Sequence, residues 1–263
     1  MSQLIDKLNR VSKTAPQSMG FRAVQPSSPK SPMLFIASLT YTGGKDTDTA
    51  DYVAGADAVL LNIAKSGWGL KALQKIAQSL PDIPWGGRLE EINEEKIKTM
   101  AEAGGDFIVF SAESNALSAP QDDKLGRILR IDSSLNEGLL KAVNELPVDA
   151  VLAGNEQEEQ LTWHHLMLYQ RFASLLSKPL LAPVSANITA DEIKAIWETG
   201  VDGVIAKVSA IKPEGGLKDL RKAIDDLILL SPRKQRKIEA ILPRISRDTN
   251  AVTDTEEEED EEK

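Results

Sequence analysis

A polar start followed by a short apolar run recurs four times along the chain: Gly55-Ala56-Asp57-Ala58-Val59-Leu60, Gly104-Gly105-Asp106-Phe107-Ile108-Val109, Pro147-Val148-Asp149-Ala150-Val151-Leu152 and Gly200-Val201-Asp202-Gly203-Val204-Ile205. The aspartates lie 49, 43 and 53 residues apart, so a unit of about fifty residues is used four times. Apolar runs this short and this continuous are the pattern of parallel strands buried on both faces. Four further runs lie between them, Met33 to Leu39, Ile83 to Leu89, Arg127 to Ile131 and Pro179 to Val184, which makes eight predicted strands.

The segments between strands carry apolar residues at three- and four-residue spacing and read as helices: Leu70 to Leu80, Glu94 to Ala103, Glu137 to Leu146, Leu161 to Leu176, Ala190 to Thr199 and Leu217 to Leu227. Ser134 with Glu137 and Thr189 with Glu192 have capping-box spacing, while Gly104 and Gly200 read as helix stops. Thr42 to Ala54 and Asn115 to Gly126 are weaker helices. Strands and crossovers alternating in this way predict an α/β fold, a closed (β/α)8 TIM barrel, with an open doubly wound sheet as the competing arrangement. Strand parity favours closure. The third residue after each Asp gives Leu60, Val109, Leu152 and Ile205, the bulky layer of four that a barrel interior needs. The fifth gives Asn62, Ser111, Gly154 and Lys207, so polarity rises where the strands end and a mouth would open.

Outside this pattern, residues 1–32 form an N-terminal extension with one amphipathic helix from Ser2 to Val11, expected to pack on the barrel or on a second subunit, which would make a homodimer. The barrel is assigned to 33–230. A basic segment, 231–250, holds Arg233, Lys234, Arg236 and Lys237, and 251–263 is expected to be a disordered acidic tail. Charge changes meaning once this is seen. The whole chain carries -9, but Asp254 to Lys263 alone carry -7, which leaves -2 for everything else. A nearly neutral body gives no electrostatic case for nucleic acid or for an anionic membrane surface. With no Cys, disulfides, thiolate zinc sites, iron–sulfur clusters and Cys nucleophiles are excluded. No apolar run approaches the roughly 20 residues of a membrane span, and Met1 to Arg10 lack a signal-peptide core, so a cytoplasmic protein is expected.

Barrel chemistry belongs at the carboxyl ends of the strands. Arg88 with Glu90 and Arg130 with Asp132 share faces within their strands, and Lys207 shares its face with Ile205. Inward-facing, they would bring three cations and two carboxylates to one mouth. Arg88 and Arg130 could clamp a phosphate or carboxylate, or bridge strands through Glu90 and Asp132. Lys207 at the end of an apolar strand must reach water, pair with a carboxylate or serve a ligand, and desolvation would make it a base or Schiff-base amine. His164 and His165 point about 100° apart on a helix, a poor chelate, and read as structural or surface groups. Trp68, Trp85, Trp163 and Trp197 read as packing. Of the paired glycines, Gly215-Gly216 opens the last helix, where backbone N–H groups can hold an anion. Nothing in the spacing demands a metal, and no cofactor is identified.

Ser185-Ala186-Asn187-Ile188-Thr189-Ala190-Asp191-Glu192-Ile193, followed by Gly200 to Ser209, resembles the last quarter of the ribulose-phosphate-binding barrels, the indole-3-glycerol phosphate synthase-like group. The resemblance implies the (β/α)8 fold and a substrate phosphate held by backbone amides after strands seven and eight. The counterparts here are Ser185-Ala186 and Lys207-Val208-Ser209, with both family glycines replaced, and Gly215 and Gly216 remain as anion donors. The family's catalytic Lys and Glu pattern is absent from the early strands. The expected function is therefore the binding of a small anionic, phosphorylated metabolite, with Arg88, Arg130, Asn62, Ser111, Ser185, Ser209, Gly215 and Gly216 as its contacts. Lys207, with Asp132 or Glu113, would transfer protons in a lyase or isomerase step. The alternative is a noncatalytic barrel that binds a ligand or a protein.

Overall fold

The computed structural model describes residues 2–12, 31–41, 53–63, 69–90, 93–113, 125–154, 160–185, 187–208 and 216–227. Eight strands are present: β1 (Leu34–Tyr41), β2 (Ala58–Ile63), β3 (Trp85–Leu89), β4 (Phe107–Ser111), β5 (Gly126–Ile131), β6 (Ala150–Ala153), β7 (Leu180–Val184) and β8 (Gly203–Val208). They are parallel and paired in sequence order, and β8 pairs back onto β1 through Leu34↔Gly203 to Leu39↔Val208. The sheet is a closed barrel, which excludes the open doubly wound alternative.

Seven helices lie among the described residues: α1 (Gln3–Ser12), α2 (Leu70–Ser79), α3 (Glu94–Glu102), α4 (Glu137–Val143), α5 (Trp163–Leu175), α6 (Ala190–Thr199) and α7 (Gly216–Asp226). Most of the two weaker predicted helices, 42–54 and 115–126, falls outside the described residues, as do the basic segment and the acidic tail. Thr189 and Glu192 form the expected capping box at α6, and Gly200 ends that helix in the left-handed conformation at φ 111°. Ser134 does not cap α4. Asn136 does, accepting from Leu139 N, because the chain turns at Asp132 before the helix begins.

The four repeated aspartates tie the strands together at the amino-terminal end. Each Asp backbone N–H donates to a carbonyl of the preceding strand: Asp57 to Phe35, Asp106 to Trp85, Asp149 to Arg127 and Asp202 to Leu180, at 2.7–2.8 Å. In three of the four the carboxylate returns the bond by accepting that residue's N–H, from Phe35 at 2.9 Å, Arg127 at 2.8 Å and Leu180 at 2.9 Å. The fourth differs. Asp106 turns its carboxylate to α1 and accepts from Ser2 Oγ (2.7 Å), Gln3 N (2.7 Å) and Leu4 N (2.9 Å), which satisfies backbone donors that a helix start leaves over.

Held in this way, α1 closes the bottom of the barrel. Leu4, Ile5 and Leu8 join one buried cluster with Leu34, Ile36, Phe107, Ile128 and other inward strand residues. Burying such side chains contributes about 1.5–3 kcal/mol each. Two glycines make the fit. A Cβ on Gly126 would lie 2.6 Å from Ile5 and 2.7 Å from Ser2, and one on Gly86 would lie 2.3 Å from the Phe107 carbonyl oxygen and 2.5 Å from its ring. Phe107 thus fills the floor between two strands that offer it no side chain. The second, larger cluster lies between the outer barrel face and the surrounding helices.

Candidate functional site at the strand carboxyl ends

The inward residues sort into layers drawn alternately from even and odd strands, given the pairing register and the stagger that closes eight strands. Leu60, Val109, Leu152 and Ile205 form one layer and are essentially inaccessible, as the sequence pattern predicts. The next layer, from odd strands, holds Ser38, Arg88, Arg130 and Pro183. Above it stand Asn62, Ser111, Gly154 and Lys207 from even strands. Glu90, Asp132 and Ser185 follow at the same parity, just past their strand ends. Apolar packing therefore gives way to polar groups within a single step along the strands.

Arg88 and Arg130 belong to the same layer on β3 and β5, with Ser111 of β4 between them and one layer higher. Both are half-buried. Asn62 is the register partner of Arg88, and its Nδ2 donates to the fully buried Ser38 Oγ at 2.8 Å. Lys207 stands on β8, across the barrel from β4, and is exposed. Of the three outcomes open to it in the sequence, reaching water is the one observed.

The carboxylates differ in setting. Asp132 is exposed, and its Oδ1 accepts the Ser134 N–H at 2.8 Å in a tight turn. The Ser134 N–H, helped by the hydroxyls of Ser134 and Ser133 and by the charge of Arg130, holds this carboxyl below its ordinary value of 3.8 despite a small opposing effect of burial. Glu113 is exposed, and its backbone N–H donates to Ser111 Oγ at 3.3 Å. Ser185 Oγ accepts from Asn187 N at 3.3 Å. Ser209 and Gly215 lie outside the described residues, and Gly216 is the first residue of α7.

His164 is exposed on the first turn of α5, whereas His165 serves the helix. His165 completes a capping box with Thr162, its Nδ1 accepting Thr162 N at 3.0 Å, and its ring stacks on Tyr169. The cue was present in the sequence as Thr162 three residues before His165, with His in the place usually taken by Glu or Gln. Trp85 and Trp197 are buried as packing residues, but Trp163 is 81% exposed, because it occupies the first turn of α5 on the side away from the barrel. The latch role of Asp106 has no separate signal, since its local sequence matches the other three repeats.

No protein-family model matches the chain, and no curated protein matches it. Solved structures do. The chain is similar to a mutant tryptophan synthase α-subunit from the hyperthermophile Pyrococcus furiosus, with a TM-score of 0.57 and 12% identity over 75% of this chain and 98% of that one. The tryptophan synthase complex of the same organism gives 0.55 and 12% over the same shares, and a second α-subunit mutant 0.57 and 11%. At such identity the likeness is one of fold, and residue roles do not carry across.

Proposed function

We propose that the barrel binds a small anionic metabolite of the phosphorylated class at its mouth, with Arg88 and Arg130 as the anion clamp. The single observation that carries this reading is that Arg88 on β3 and Arg130 on β5 share one inward layer, directly above a layer that is wholly apolar. Guanidinium N–H groups suit planar, multidentate contact with phosphate or carboxylate oxygens, and half-burial strengthens such bonds relative to water. The body's small net charge means that attraction comes from this local pair and not from a general field. Ser111 lies between the arginines and Asn62 beside Arg88. The resemblance of residues 185–209 to ribulose-phosphate-binding barrels supports the same ligand class.

For chemistry, the reading assigns a lyase or isomerase step in which Lys207 and Glu113 supply proton transfer from the rim. Asp132, with its lowered pKa, fits an ionised neighbour of Arg130 better than a proton donor at neutral pH. Ser185, Ser209, Gly215 and Gly216 complete the ligand contacts in this reading. The test is thermal shift against a panel of phosphorylated metabolites, in which a ligand raises the midpoint according to its concentration over Kd. Arg88→Ala and Arg130→Ala are each expected to weaken binding roughly tenfold to hundredfold, as charge-assisted hydrogen bonds are lost. Lys207→Ala is expected to retain the shift and lose turnover. Absence of any shift across the panel, or shifts unchanged in both arginine variants, defeats the reading.

A further inference from the structure

Asn62 stands where β2 leaves the apolar interior, two residues beyond Leu60 on the same face, with Thr40 and Arg88 as its register partners. The two ends of its amide are treated differently. Nδ2 donates to Ser38 Oγ at 2.8 Å, an oxygen on a side chain with no exposure, and this contact holds the amide plane. Oδ1 is buried, yet no described residue donates to it. A buried amide oxygen without a donor is uncommon in folded proteins, because it has surrendered hydrogen bonds to water and regained none. Deep in a packed core it would be a defect. Here it lies where β2 leaves the apolar interior, with Arg88 as its register partner, and it is an acceptor for which the described residues supply no donor.

We infer that Asn62 is a specificity-determining residue of the mouth, whose Oδ1 reads a hydrogen-bond donor on the ligand, a hydroxyl or an amine, close to the anion held by Arg88. The ligand class is then a phosphate ester whose organic part carries such a donor within a few bonds of the phosphate. This rests on the anion-binding reading above and narrows it. A site built around a buried polar group rejects an analogue lacking the partner far more strongly than an apolar pocket rejects a missing methylene, since the group is left unpaired in the complex.

Isothermal calorimetry on the full chain tests this with four probes: inorganic phosphate, 2-hydroxyethyl phosphate, its near-isostere propyl phosphate, and 2-methoxyethyl phosphate, which can only accept. The hydroxyl ester is expected to bind about tenfold or more tightly than the propyl and methoxy esters. In Asn62→Leu, which keeps the branched shape and removes both polar atoms, that ratio is expected to fall to near one. Should Asn62→Leu fail to fold, Asn62→Ala and Asn62→Val give the same readout. Equal binding of the hydroxyl and propyl esters by the wild type overturns the inference, because water or the protein then serves Oδ1. So does discrimination that survives in every Asn62 variant, and so does preference for the methoxy ester, which would mean that the amide presents its NH2. If none of the four probes binds, or if binding is indifferent to Arg88→Ala and Arg130→Ala, the anion-binding reading itself falls and this inference with it.

Discussion

Asp132 and Asp202 are both aspartates near the end of a strand, but their surroundings assign them opposite tasks. Asp202 is buried, and its carboxylate accepts the Leu180 N–H at the bottom of the barrel, so it works as a fastener. Asp132 lies at the mouth in water, and the Ser134 N–H lowers its pKa. A folded-state pKa lowered in this way favours folding above the ordinary value of 3.8, and that contribution is lost as pH falls through the folded value. Carboxyl NMR titration is therefore expected to give Asp132 a midpoint below 3.8, raised partway by Ser134→Ala, which spares the backbone donor, and further by Ser134→Pro, which removes it. A wild-type midpoint at or above 3.8 would refute this. Position on the strand was legible for both residues, because alternation by two decides which face a side chain takes. The turn that captures Asp132 was not separated from a catalytic placement, because a carboxylate two residues before a serine suits either.

Helices show the same division between what periodicity carries and what it leaves open. The span of α6 was readable to the residue, because Thr189 and Glu192 mark its start and Gly200 its end. At α4 the same kind of signal pointed two residues early, since Ser134 was already engaged in the Asp132 turn and Asn136 took the cap. The apolar stripe of α1 announced a buried face but not its destination, as a stripe specifies a hydrophobic partner without saying which. Its place under the barrel depends on Asp106 and on the missing side chain at Gly126. Asp106→Ala is expected to leave three donors of α1 without their acceptor, and Gly126→Ala to push Ile5 and Ser2 outward, at a cost of about 1–3 kcal/mol each. Both variants should be cleaved by protease within residues 1–12 faster than wild type, with urea midpoints lowered. If α1 stays protected in both, packing of Leu4 and Leu8 alone holds it.

Closure belongs to the whole molecule and is the property that local pattern states least directly, because alternating strands and helices are equally compatible with an open sheet. What favoured it was the coincidence of four bulky residues at one position of the repeat, the layer a closed ring of strands needs, although strands buried on both faces of an open sheet are apolar there too. The ring also joins α7 to the first two strands. Arg221 of α7 donates through Nη1 to Oδ2 of Asp57, just before β2, at 3.0 Å, and through Nε and Nη2 to Asp225 at 3.2 and 2.7 Å. Its pKa is raised, because these partners outweigh the burial that works against the charge. Asp57 accepts the Phe35 N–H as well, so one carboxylate connects β1, β2 and α7. Arg221→Met keeps most of the packing stem and leaves Asp57 partly buried without its cation, an expected loss of about 1–3 kcal/mol given that a quarter of each side chain still meets solvent. Arg221→Lys should recover only part, since an ammonium cannot engage Asp225 bidentately while reaching Asp57. If the barrel unfolds as one unit, this loss appears equally in the fluorescence of buried Trp85 and Trp197 and in far-ultraviolet dichroism, with coincident urea transitions. A first transition confined to one probe would mean that the seam between β8 and β1 opens before the rest.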